Sequence, residues 1–298
     1  MRVVVTGTAG QFAKSFAERM AATAPDLELA LLGRPGLDLE QLDSIAPALA
    51  SAAPDVVING AAYTAVDKAE DERERCFLVN GEAAARVAGA ARDCGARLIQ
   101  ISTDYVFDGA AGRPYSEADP TNPINVYGAS KLAGEAGVRA ATDDHLIVRT
   151  AWVYGPHGGN FVKSMLRMAR GSEPVRVVAD QIGSPTAALD LSDGLITVLR
   201  SWAGGGREGL GETMHLTGSG GASWFEFARH VFAEAARHGA TPPPLTAITT
   251  PDYPTRAARP ADTRLDCTRF ADRFGFTSPD WRVSTAETVE RLMGQGDA

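Results

Sequence analysis

The sequence predicts an α/β fold, a doubly wound parallel sheet followed by a smaller α/β region, and three observations predict it. Short β-branched runs alternate with alanine-rich helical stretches through the first half of the chain, the order that builds a parallel sheet with helices on both faces. A glycine-bearing turn, Thr6-Gly7-Thr8-Ala9-Gly10-Gln11-Phe12-Ala13, follows the first run and opens a helix. After about residue 155 the alternation loosens into glycine-rich and proline-rich stretches at Gly204-Gly205-Gly206, Gly218 to Gly221 and Pro242-Pro243-Pro244.

Taken in order, Arg2 to Thr6, Glu28 to Leu32, Val56 to Asn59, Leu98 to Ser102 and Leu146 to Thr150 read as strands buried on both faces. Gln11 to Ala24, Leu39 to Ala53, Asp71 to Cys94 and Tyr127 to Ala141 carry helical composition and periodicity. Farther on, Val175 to Val178 and Met214 to Leu216 read as strands, and Ala187 to Trp202 and Trp224 to His238 as helices; some of these are expected to return and extend the main sheet. Ligands of such sheets bind beyond the carboxyl ends of the strands, which directs attention to Gly7, Gly33-Arg34, Ala61-Ala62-Tyr63, Ser102-Thr103 and Ala151-Trp152.

Composition narrows the function classes. A formal net charge of −8 and a pI near 5.2, with no long basic run, argue against nucleic-acid binding. No stretch approaches the roughly 20 apolar residues of a membrane helix, and the apolar run at the N-terminus is too short for a secretory signal; a cytoplasmic protein is expected. Cys76, Cys94 and Cys267 fit neither a disulfide framework nor a zinc site. The five histidines lack paired ligand spacing, so no catalytic metal is expected.

The glycine turn sits where a dinucleotide fingerprint belongs, between a first strand and its helix. Gly7 and Gly10 allow close approach of backbone to a pyrophosphate, Gln11 and Phe12 open the helix whose N-terminus faces that charge, and Ala13 is small enough for close helix packing. The spacing Gly-x-x-Gly-x-x-Ala departs from Gly-x-Gly-x-x-Gly. Residues 1-155 thus read as a Rossmann unit binding NADP, completed by segments returning near 187-217. Residues 156-298 read as mainly a substrate-binding region with an interleaved boundary. Leu32-Gly33-Arg34 places no acid where a ribose 2′-hydroxyl is usually held; Arg34 instead suits a 2′-phosphate, favouring NADPH with NADH still possible, or is simply solvated. Asp38 and Leu39 either contact adenine or serve the start of the next helix.

Tyr127 and Lys131, four residues apart, share one helix face. A lysine ammonium near a phenol lowers the phenol's pKa and suits it to proton exchange with a developing alkoxide. Alone, the spacing is a weak signal and more often marks a solvated surface helix. Thr103, at a strand end, either joins this machinery or caps local backbone.

With these residues assembled, the chain resembles the extended short-chain dehydrogenase/reductase superfamily and, more narrowly, the dTDP-4-dehydrorhamnose reductase family. The narrower resemblance rests on Gly60 to Glu70, Ser102 to Gly109, Asn125 to Gly128, Arg149 to Tyr154, Gly159 to Phe161, Asp180 to Thr186, and Arg259-Pro260, in the expected order. It implies NADPH-dependent reduction of the C4 ketone of dTDP-4-dehydro-L-rhamnose, with Thr103, Tyr127 and Lys131 catalytic. It also implies cofactor contacts at Ala61, Ala62, Tyr63, Tyr127 and Lys131. Substrate contacts are implied at Thr64, Ala65, Val66, Thr103, Asp104, Tyr105, Trp152, Asn160, Thr186 and Arg259. For Trp152, ordinary core packing is the alternative. Lys68 and Glu70 are expected to anchor their loop. Some family members dimerise through magnesium held by glutamates; Lys14-Ser15 and Leu189-Asp190 stand at the corresponding places, which argues against a magnesium-bridged dimer and leaves monomer or homodimer. The same chemistry serves reductases of other dTDP-4-keto-6-deoxyhexoses, and the superfamily also contains non-catalytic NADP-binding regulatory subunits.

Overall fold

Three consecutive valines without exposed surface, Val3, Val4 and Val5, form the centre of strand β1 (Arg2–Thr6). Such a run belongs to a strand covered on both faces. Strand β1 pairs in parallel with β2 (Glu28–Leu32) and β3 (Val56–Asn59); β4 (Arg97–Thr103), β5 (His145–Thr150) and a strand at Glu212–His215 complete a six-stranded parallel sheet. The order is Glu212–His215, β5, β4, β3, β1, β2. The computed structural model describes residues 1–294.

Strand side chains alternate between two cores, as a period of two requires. Val3 and Val5 pack with Phe16 of the Gln11–Thr23 helix and with Leu195, Leu199 and Trp202 of the Ala188–Ala203 helix. Val4 faces the other way, toward Ile45 and Leu49 of the Leu42–Ala52 helix and Val87 of the Ala83–Asp93 helix. A third core, around Tyr154, Phe227 and Trp281, holds the C-terminal region together. Among the described residues no helix is long and apolar enough to cross a membrane.

Two expected helices are reshaped by polar side chains. The Leu39 to Ala53 stretch becomes helical only at Leu42, because the Asp38 carboxylate accepts the Glu40 amide and folds a turn first. The Asp71 to Cys94 stretch is divided into Arg73–Phe77, a π turn at Leu78–Glu82 and Ala83–Asp93. Asn80 sits inside that π turn with its side chain directed at neighbouring segments. Of the later strands, Glu212–His215 joins the main sheet, whereas Val175–Val178 pairs with Leu245–Ile248 in a separate two-stranded ribbon. Helices at Phe161–Ala169, Thr268–Phe274 and Trp281–Gly294 complete the C-terminal region.

Candidate active site

A cleft of about 960 Å³ runs over the carboxyl ends of the parallel strands, from Arg34 after β2 to Trp152 after β5. Its β1 side is built by the glycine turn. Gly7 adopts φ +94°, in the left-handed region open to glycine, and its amide bonds the Leu32 carbonyl at 2.6 Å. A side chain at Gly33 would meet Thr8, and one at Gly60 would meet the Phe12 ring. Gly10, by contrast, has open space where a Cβ would stand. The Gln11–Thr23 helix starts at Gly10 with neither a side-chain cap nor an acidic residue in its first turn. Its uncapped amides and positive dipole end therefore face the cleft, which suits a pyrophosphate. Arg34 lines the far end, where the dinucleotide's adenosine half would lie and a guanidinium would meet a 2′-phosphate.

The next walls are tied together from behind. Thr6, Asn59 and Gln100 form a buried side-chain chain across β1, β3 and β4, and Thr6 Oγ1 accepts the Ala61 amide at 3.0 Å. Asn80 accepts the Tyr63 amide and donates to both the Tyr63 carbonyl and Ser130 Oγ, so one side chain links the Ala61 to Thr64 wall to the helix carrying Tyr127. That helix, Val126–Ala141, is capped by Asn125, and its Val126 amide is accepted by Glu70. Glu70 thus anchors the loop to the helix, while Lys68 lies 3.8 Å from Glu72.

Thr103, Tyr127 and Lys131 meet in this cleft at the end of β4. Thr103 donates to Asp104 at 3.0 Å, accepts the Tyr105 amide, and stands beside the Tyr127 phenol. Burial pushes the Tyr127 phenol well above its ordinary value; the Thr103 hydrogen bond opposes this and the Asp104 charge adds to it. The lowered phenol pKa expected from Lys131 is therefore corrected: desolvation of the phenolate dominates, and the Lys131 ammonium donates one hydrogen bond to the Ile101 carbonyl at 2.6 Å. Burial also brings Lys131 down from 10.5 to about 8, against the opposing charge of Glu135. Glu135 is itself buried, bonded to Ser102 and paired with Arg149 at 2.7 Å. At neutral pH the site thus holds a protonated phenol and a lysine near its titration point.

Asp104 is fully enclosed, accepts hydrogen bonds from Thr103 and Thr263, and is raised by burial from 3.8 to about 6. Tyr105 meets Tyr127 edge-on at 6.0 Å, and Arg259 lies 5.9 Å over the Tyr105 ring.

Trp152 stands in the cleft wall with φ +45°, a left-handed conformation unusual for a bulky residue. That geometry costs about 1–3 kcal/mol and persists only where surroundings enforce it. Its indole stacks on Trp224 with centroids 3.5 Å apart and planes 7° apart. Trp152 is thus a partly exposed wall residue.

Gly7, Gly10, Gln11, Phe12, Arg34, Asp38, Leu39, Ala61, Ala62, Tyr63, Thr64, Val66, Asp104 and Tyr105 also line the cleft. Four expected contacts stand behind or beside its lining. Ala65 precedes the Val66–Ala69 helical turn. Asn160 caps the Phe161–Ala169 helix and donates to the Gly155 carbonyl. Thr186 is wholly buried, its hydroxyl bonded to the Ser184 carbonyl and the Gly218 amide. Arg259 pairs with Asp67 at 2.7 Å. Residues without a sequence expectation also face the cleft: Trp224, Leu191, and Thr150, whose buried hydroxyl has no partner among the described residues. Thr150 ends β5 in register with Thr103, the signal that singles it out.

Residues 1–293 match the RmlD substrate binding domain. The chain is 44% identical over 296 residues to the dTDP-4-dehydrorhamnose reductase of Sinorhizobium fredii, covering 99% of each protein. It is similar to the solved dTDP-4-dehydrorhamnose reductase of Clostridium acetobutylicum, with a TM-score of 0.90, 33% identity, and coverage of 98% of this chain and 99% of that one. The Bacillus anthracis reductase, solved in complex with NADP, aligns with a TM-score of 0.88 and 34% identity over 97% of this chain and 99% of that chain. This chain belongs to the RmlD substrate binding domain family.

Proposed function

We propose that the protein is a dTDP-4-dehydrorhamnose reductase, using NADPH to reduce the C4 ketone of dTDP-4-dehydro-L-rhamnose to dTDP-L-rhamnose. The observation that carries this reading is the meeting of Thr103, Tyr127 and Lys131 beside a cleft whose opposite end offers an uncapped helix N-terminus and Arg34. The names of the similar reductases support it.

Residues 1-155, with the returning strand and helix within 187-217, form the cofactor half in this reading, and most of 156-298 forms the sugar half. The chemistry that NADPH supplies when bound is transfer of a hydride to the ketone carbon. Gly7, Gly10 and the amides of Gln11 and Phe12 receive the pyrophosphate, and Arg34 the 2′-phosphate. Tyr127, its phenol protonated at neutral pH, gives its proton to the carbonyl oxygen as negative charge develops there. The Thr103 hydroxyl, turning its one proton from Asp104, donates a hydrogen bond to the same oxygen. Lys131 has spare N–H donors beyond its bond to Ile101, and these hold the nicotinamide ribose. Trp152, Asp104 and Tyr105 shape the sugar's surroundings.

Purified protein given NADPH and dTDP-4-dehydro-L-rhamnose should consume the cofactor and form dTDP-L-rhamnose. Absence of turnover would overturn the reading, and a different product epimer would move it to another dTDP-4-keto-6-deoxyhexose.

A further inference from the structure

The Trp152 indole is held by two anchors that belong to one small device. Trp224 stacks on it almost coplanar, at 3.5 Å between centroids. Gly183 leaves it room: a Cβ there would lie 2.3 Å from Cε2 of the indole. These anchors are joined, because Ala222–Ser223 pairs antiparallel with Ile182–Gly183, placing Ala222 opposite Gly183. Trp224 follows immediately, as the first residue of a helix fixed by a Ser223/Glu226 capping box. Phe161 backs Trp224 at 4.7 Å. Trp152 itself is tied to the neighbouring segment by the Thr186 amide, which donates to its carbonyl.

The strain at Trp152 needs such enforcement, since a left-handed tryptophan relaxes unless its surroundings over-determine it. Two observations place the pair in function as well as packing. Both indoles line the same cleft as Tyr127, and both keep partly exposed surface. A core pair would bury both faces.

We infer that Trp224 is a positioning residue for sugar binding: it holds Trp152 in its left-handed conformation, so that the two stacked indoles present one rigid apolar wall to the C–H face of the bound deoxyhexose. This rests on the reductase reading and extends it. The wall's rigidity limits the freedom lost when the sugar binds, which is how preorganisation raises affinity.

The test compares Trp224→Phe and Trp224→Ala with the parent protein. Circular dichroism of the parent should show the exciton couplet of two stacked indoles, and both variants should lose it. For Trp224→Ala, KM for the nucleotide sugar and the calorimetric Kd for dTDP-L-rhamnose should rise about tenfold or more, with kcat changed far less, the pattern of lost ground-state positioning. Trp224→Phe retains a flat ring and should recover much of that affinity. Affinity for NADPH should stay within about twofold of the parent in both, since no cofactor anchor is touched. Loss of the couplet with unchanged sugar affinity overturns the inference, as does an equal loss of NADPH and sugar affinity. A parent that binds dTDP-L-rhamnose but reduces no ketone sinks the reductase reading instead, and the calorimetric comparison then still decides the role of Trp224.

Discussion

Burial raises the Tyr127 phenol, which keeps it protonated and makes it a weaker acid than its spacing from Lys131 alone implies. Its spacing from Lys131 was readable as a shared helix face, but the direction of its pKa was not. That direction depends on how many atoms enclose the phenol and on where the Lys131 ammonium finds its acceptor, which turns out to be a strand carbonyl. Tyr127→Phe should lower kcat by about 10²-fold or more while leaving the Kd for NADPH nearly unchanged, measured by steady-state kinetics and fluorescence titration. Asp104 permits a prediction of opposite sign for stability. Between 3.8 and about 6 the unfolded chain has lost this proton and the folded chain retains it, so stability falls as pH rises through that window. Above it the deficit is complete, about 3 kcal/mol for such a displacement. Asp104→Asn keeps an acceptor for Thr263 without the buried charge. It should raise Tm at neutral pH, with the gain fading as the pH approaches 4; an unchanged Tm across the pH range would show that the carboxylate is fully compensated.

At the scale of elements, the helix bearing Tyr127 is fixed by unusually close backbone approach. A Cβ on Gly134 would stand 2.1 Å from the Asn80 carbonyl, and one on Gly128 would stand 2.0 Å from that of Tyr105. Neither neighbour is a flexible side-chain tip. Gly134→Ala gains about 1 kcal/mol of helix propensity, but overpacking against backbone costs about 1–3 kcal/mol or more, so the clash wins. Thermal melts should show a lowered Tm. Turnover should fall too, because Asn80 also holds Tyr63. The alternation of strands and helices through the first half was legible because burial on both faces leaves continuous apolar runs. The π turn was not: Leu78–Glu82 holds no proline to break the run between its flanking helices, and only the tertiary demand on Asn80 reveals the break.

Across the whole molecule, the cleft is closed by chain that is remote in sequence. The segment at 256–259 crosses to the N-terminal region, where Arg259 pairs with Asp67, Arg256 with Asp71, and Asn125 donates to the Ala258 carbonyl. Arg259 was visible as a family motif, yet its partner lies 192 residues away, and sequence order alone gives no such pairing. Thr186 and Asn160 teach the same lesson, since their motifs mark backbone junctions around the cleft. Arg259→Ala should raise KM for the nucleotide sugar about 3- to 10-fold, with a smaller effect on Tm, as suits a pair whose Asp67 is half-exposed. An unchanged KM would show that this crossing segment does not shape nucleotide-sugar binding.

The proposed reaction combines hydride delivery from NADPH to C4 of the hexose with proton donation by Tyr127. Reduction of dTDP-4-dehydro-L-rhamnose with NADPH deuterated at the transferable nicotinamide position tests it most directly, with NMR locating the label. The predicted result is dTDP-L-rhamnose carrying deuterium at C4, formed far more slowly by Tyr127→Phe. Deuterium elsewhere in the sugar, no transfer at all, or full-rate transfer by Tyr127→Phe would contradict it.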